Sequence, residues 1–116
     1  MANKRKLGKE YEEVAGRLLQ EQGYVILEKN YRCPLGEIDL IAMDKETLVF
    51  AEVKYRSSTR QGVPEEAVGR EKQKRISRTA RWYMMEMNIS QDMPCRFDVI
   101  SVLRNRLRIY KNAFEC

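Results

Sequence analysis

The sequence predicts an α/β fold in which a central mixed β-sheet is flanked by helices, with elements in the order α-β-β-β-α-β-β. Three observations carry this prediction. Apolar residues recur at helical spacing near the N-terminus and again in the middle of the chain. Five short runs rich in β-branched and aromatic residues are arranged around the second of these helical segments. Two pairs of those runs are joined by links short enough to make hairpins, and the helix between them favours a mixed sheet with covered faces. At 116 residues the chain is long enough for one core and too short for two, so residues 1–116 form a single domain.

Leu7, Tyr11, Val14 and Leu18 trace one face of a first helix from about Leu7 to Gln22, and Gly23 is placed to end it. Tyr24 to Arg32 then reads as a strand, broken by CPLG. Strands two and three are predicted over Glu37–Met43 and Thr47–Tyr55, with only Asp44, Lys45 and Glu46 between them, which requires an antiparallel hairpin. Residues 57–63 lack periodicity and read as a loop. Pro64 suits the first position of a second helix running to about Met87. Its inward stripe is Val68, Ile76, Ala80, Tyr83 and Met87, with Lys72 at the intervening position. Trp82 and Tyr83 read as core, while Met84, Met85 and Met87 read as an adaptable apolar surface that either fills the core or meets a second copy. FDVISVL and LRIYK, joined around Asn105, make the closing hairpin.

The second and third strands carry charge where a structural sheet has no use for it. GEIDLIA holds Asp39 and VFAEVKYR holds Glu52 and Lys54, all inside apolar runs. Alternation puts Glu52 and Lys54 on the face of Leu48 and Phe50, and Asp39 on the face of Glu37, Ile41 and Met43. A carboxylate withdrawn from water is costly unless it is paired or holds a cation. Hairpin pairing brings Asp39 and Glu52 together, and a divalent cation relieves the repulsion between two close carboxylates. Oxygen ligands and the lack of any histidine favour Mg²⁺ or Mn²⁺. Lys54, on Glu52's face, is placed to orient a water or to offset charge developing on a phosphate. These groups together suit phosphodiester hydrolysis. Each also has a plainer role. Asp39 can cap backbone or pair with an arginine, Glu52 and Lys54 can form an ion pair, and Glu37 either adds an acid or anchors the turn after Gly36.

Charge distribution points to a polyanion. The chain carries a net +5, and Lys54 to Arg81 holds nine Lys or Arg against three Glu, a net +6, so the remainder sums to −1. Arg56, Arg60, Arg70, Arg75 and Arg78 are expected to contact nucleic-acid backbone, giving affinity without sequence readout. Lys72 is expected to contact phosphate, with the alternative that its stem lies over the apolar stripe while its ammonium reaches water. Cys33, Cys95 and Cys116 are odd in number and widely spaced, which argues against a zinc site or a disulfide framework. No apolar stretch suits a signal peptide or a membrane span, so the expected compartment is the cytoplasm.

Asp39, twelve intervening residues and then Glu52-Val53-Lys54 resemble the D…(D/E)xK signature of restriction-endonuclease-like nucleases. Across GEIDLIA, VFAEVKYR, GVPEEAV and RFDVI the chain resembles the YraN-like family of that superfamily. The resemblance implies the restriction-endonuclease-like fold and metal-dependent action on DNA, duplex or branched, in a bacterial cytoplasm. It also implies some similarity to archaeal Holliday junction resolvases. In those enzymes a helix-one glutamate joins the site, and Glu12 matches it best here. A resolvase cutting opposed strands needs two sites, so the resemblance further implies a symmetric homodimer. On this reading Asp39, Glu52 and the Val53 carbonyl hold the metal, and Lys54 assists the attacking water. Ile38 stands before Asp39 where many such nucleases have proline. Two other readings compete: a nucleic-acid-binding module of the same fold without turnover, and an adaptor whose basic helix meets an acidic protein. Carboxylates kept beside a phosphate-binding surface argue against both.

Overall fold

The computed structural model describes residues 4–56, 69–103 and 106–114, with the side chains of residues 4–12 and Arg56 excluded. The elements are α1 (Lys4–Glu21), β1 (Val25–Cys33), β2 (Gly36–Asp44), β3 (Thr47–Arg56), α2 (Arg70–Glu86), β4 (Cys95–Leu103) and β5 (Arg106–Phe114). The five strands lie in chain order across one sheet. β3 and β4 pair in parallel, and every other neighbouring pair is antiparallel. This is the expected mixed sheet and element order. No helix among the described residues is long and apolar enough to cross a membrane.

Each helix covers one face of the sheet. On the first face Ile76, Ala80, Tyr83 and Met84 of α2 pack on Tyr31, Ile41, Leu48, Phe50, Phe97 and Val99. On the second, Ala15 and Leu19 of α1 pack on Leu40, Ala42, Val49, Ala51, Ile100 and Val102. Consecutive core residues of β3 and β4 therefore alternate between helices, as a sheet buried on both sides demands.

Both helices end in a six-to-one backbone closure. Gly23 adopts φ 94, its N–H bonds to Gln20, and the N–H of Tyr24 bonds to Leu19. Asn88 does the same for α2 at φ 55, with Ile89 N–H on Met84. Both positions need a left-handed backbone, which glycine and asparagine tolerate. Gly36, at the start of β2, is required for a different reason. A Cβ there would lie 2.8 Å from Thr79 Oγ1 and 3.2 Å from Arg75 Cγ, so its bare backbone lets β2 and α2 approach closely beside the site.

Three expectations need correction. The second helix begins at Arg70, because Gly69 is extended at φ −69, ψ 164 and stands just outside it. The start expected at Pro64 and the stripe residue Val68 lie outside the described residues. Trp82 is exposed rather than core, since α2 turns its Ile76–Ala80–Tyr83 side to the sheet and Trp82 projects away from it. Met87 is also exposed, because it follows the last helical residue, and Met85 is exposed with it, whereas Met84 is core.

Candidate active site

The site forms where β2 and β3 part. Their ladder runs from Asp44–Thr47 to Leu40–Ala51 and stops, while β3 continues on β4 as far as Arg56–Leu103. Strict alternation would put Ile38 and Leu40 on one face, yet Ile38 packs on the α2 side and Leu40 on the α1 side. β2 thus switches faces at Asp39, opposite the left-handed Asn30 of β1, whose neighbours Lys29 and Tyr31 pair with Leu40 and Ile38. A local irregularity of this kind re-aims one side chain. Here the Asp39 carboxylate turns to the gap, and Val53 N–H donates to its Oδ2 at 2.8 Å. A side chain thereby replaces the ladder bond that β2 no longer supplies. Asp39 still lines the α2-side cavity, the side of Ile41 and Met43 as alternation expects, and the residue that departs from alternation is Ile38.

Glu52 meets Asp39 from the other strand. Its side chain is 13% exposed, and its Oε1 accepts from Lys72 Nζ while lying 3.2 Å from Lys54 Nζ. Lys54 is two residues along the same face, and Lys72 reaches in from the first turn of α2. Burial pushes the Asp39 carboxyl above its ordinary range, the Val53 N–H opposes that, and the Glu52 charge reinforces it. For Lys72, burial is the largest single influence and works against the charged form, but the bond to Glu52, the Glu52 and Asp39 charges and the contact with Lys54 together outweigh it and the net shift is upward.

Asp39, Glu52, Lys72, Glu37, Ile38, Asp98 and Phe114 are among the residues that line a cavity of about 60 Å³. That volume holds a few water molecules or a partly hydrated ion. Next to it, Gly36, Glu37, Arg70, Glu71, Lys72 and Arg75 line an open groove of about 610 Å³. Arg75 and Arg78 are exposed on α2. Glu37 pairs at the surface with Arg32 at 3.4 Å and also borders the cavity.

Asp39, Glu52, Val53, Lys54 and Lys72 are therefore neighbours. Arg75 and Arg78 lie on the helix that supplies Lys72. Glu12 lies within α1 and Arg56 at the end of β3, but their side chains are outside the described residues, as is all of Arg60. Among the described residues no three His, Cys, Asp or Glu side chains converge as a metal cluster. The donor set at hand is two carboxylates, which suits a hard cation that keeps much of its own water. No donor among the described residues is bonded to Asp39 Oδ1 or Glu52 Oε2, so each acid has an oxygen to offer.

One charged residue escaped the sequence reading. Asp98 is fully buried in β4, held by Arg96 Nε at 3.0 Å and by Asn112 N–H at 2.9 Å. Its signal was the one used for Asp39 and Glu52, an acid inside an apolar strand, here FDVISVL.

A sheet that opens around two carboxylates and two lysines, with helices on both faces, defines an α/β protein compatible with a nuclease-like fold. The chain belongs to a particular family of that description: the sequence profile of the Uncharacterised protein family UPF0102 matches residues 11–102. It is 48% identical over 113 residues to a UPF0102 protein of Lachnoclostridium phytofermentans, covering 97% of this chain and 96% of the relative. A UPF0102 protein of Syntrophus aciditrophicus is 44% identical over 119 aligned residues, covering 99% and 93%. One from Caldanaerobacter subterraneus is 47% identical over 103 residues, covering 89% and 84%.

Proposed function

We propose that this protein is a metal-dependent nuclease that hydrolyses phosphodiester bonds in DNA, duplex or branched, and acts in the cytoplasm as a symmetric homodimer. The observation that carries the reading is the meeting of Asp39 and Glu52 at one small cavity that adjoins a groove carrying Arg70, Lys72 and Arg75 beside Glu37 and Glu71.

Asp39 and Glu52 would hold Mg²⁺ or Mn²⁺, with the Val53 carbonyl as a further oxygen and Glu12 as the helix-one acid. When bound, the cation supplies charge that acidifies water and offsets the phosphate. The chain does the rest. The Val53 N–H fixes Asp39 Oδ2 and so orients a carboxylate that lines the cavity. Lys54 holds Glu52 in place and is near enough to orient an attacking water or to meet charge developing on a phosphate oxygen. Arg56, Arg60, Arg70, Arg75 and Arg78 would grip the backbone on either side.

The Lys72–Glu52 contact favours one second reading, a binding module in which the acids are permanently paired with lysines and nothing is cut. Melting curves separate the two. Mn²⁺ at about a hundred times its dissociation constant stabilises a one-site protein by about 2.7 kcal/mol. A matching rise in Tm is expected for the wild type and not for Glu52→Ala. A Tm that is unmoved by Mn²⁺ in both proteins contradicts the metal reading.

A further inference from the structure

We propose that Lys72 is a built-in counter-ion for the carboxylate pair and that it couples cation binding to phosphate binding. The site takes its divalent cation and its phosphodiester together, as the Lys72 ammonium passes from Glu52 to a phosphate oxygen. The proposal rests on the nuclease reading above and adds to it how the site is held before substrate arrives.

Charge balance is the first argument. Two carboxylates, Asp39 and Glu52, face two ammonium groups, Lys54 and Lys72, and both ammoniums converge on a single oxygen of Glu52. The cluster is already neutral, because the other two acids on the cavity, Glu37 and Asp98, carry their own cations in Arg32 and Arg96. A divalent cation added to it leaves a net +2 in a partly buried place where water screens poorly. The cation and both ammoniums would also compete for one carboxylate. Either an ammonium withdraws or an anion enters. A phosphodiester carries one negative charge, and transfer of Lys72 to it provides both kinds of relief at once.

Position singles out Lys72 over Lys54. Its side chain is 43% exposed against 26% for Lys54. Lys54 is fixed to the same strand as Glu52, whereas Lys72 extends from the first turn of α2 on a long flexible stem. Among the described residues, the cavity that holds the two acids and the groove that holds Arg70 and Arg75 share Lys72 as their one common cation. A side chain that borders both can leave one for the other without any movement of the backbone.

Coupling of this kind is reciprocal: a phosphate-bearing ligand raises cation affinity by the factor by which the cation raises affinity for the ligand. The test titrates Mn²⁺ into the DNA-free protein, following free Mn²⁺ by electron paramagnetic resonance, for wild type, Lys72→Met, Lys72→Arg and Asp39→Asn. The binding of a short blunt-ended DNA duplex is measured alongside, in Ca²⁺ and in EDTA. Without DNA, Lys72→Met is expected to bind Mn²⁺ about tenfold more tightly than wild type, since one repelling charge is gone. Lys72→Arg should stay near the wild-type value, and Asp39→Asn should lose binding. In Lys72→Met the gain in duplex affinity given by Ca²⁺ should shrink. Lys72→Gln, with circular dichroism melts of every variant, guards against a folding effect. If Lys72→Met binds Mn²⁺ no better than wild type while Asp39→Asn abolishes binding, the metal site stands and the counter-ion role is overturned. If neither wild type nor Lys72→Met binds Mn²⁺, with or without the duplex, the nuclease reading itself fails and this inference falls with it.

Discussion

Asp39→Asn is expected to slow DNA cleavage about a thousandfold, the loss of several kcal/mol of electrostatic stabilisation, and to leave Tm at neutral pH unchanged or higher. The two halves of this result have one cause. Burial raises the Asp39 carboxyl above its ordinary range, so the ionised group is less favourable in the folded protein than in the unfolded chain. An acid shifted in that direction lowers stability at every pH above its folded value, and the penalty fades as the pH falls to its unfolded value. Asparagine keeps an oxygen to accept from Val53 N–H while removing the charge. The stability advantage of Asp39→Asn should therefore close as the solution is acidified. Single-turnover cleavage and melts across a pH series check both halves. A drop in Tm of several degrees at neutral pH would mark Asp39 as a structural acid instead.

The largest stability loss is expected from Asp98→Ala, at about 3 kcal/mol. Asp98 is buried against Arg96, whose Nε lies 3.0 and 3.1 Å from its two oxygens. Arg96 also reaches Asp44 at 2.8 Å and the Tyr24 hydroxyl at 2.8 Å. The Asn112 N–H on Asp98 Oδ1 is at a left-handed residue where the β4–β5 register shifts, so the carboxylate also fixes that bulge. Burial pushes the Asp98 carboxyl upward, and its bond to Asn112 and the Arg96 charge oppose the push. Removing the acid leaves Arg96 with fewer partners and the Asn112 N–H without an acceptor, which is the costly half of breaking a buried pair. Equilibrium urea unfolding measures the effect. A loss under about 1 kcal/mol would show that Asp44 alone satisfies Arg96.

The strands were legible because their signals are local. β-branched runs, the short Asp44-Lys45-Glu46 link, of which the structure leaves Lys45 and Glu46 outside the strands, and Gly23 after an amphipathic stretch each encode their own geometry. The beginning of α2 was not, because Pro64 and Gly69 both suit a helix N-terminus and only the extended backbone at Gly69 decides between them. Trp82 was misread for a related reason: apolar character said it was buried, whereas the angular position on α2 placed it outside. Asp39 and Glu52 were visible as charges in apolar strands, but the turn of Asp39 into the gap was not. It rests on the bond from Val53 N–H, a group of a different strand, at the point where the β2–β3 ladder ends. The contact of Lys72 with Glu52 spans twenty residues of sequence, and the sequence offered only an ammonium on an otherwise apolar stripe.

Cleavage of labelled duplex, single-stranded, flapped and four-way-junction DNA, with Mg²⁺, Mn²⁺ or EDTA and with Glu52→Ala in parallel, tests the central claim most directly. The account predicts cutting of at least one duplex or branched substrate that requires the metal and disappears in Glu52→Ala. Salt-sensitive binding of the same DNAs with no cutting, equal in both proteins, would contradict it and leave a binding module with paired, silent acids.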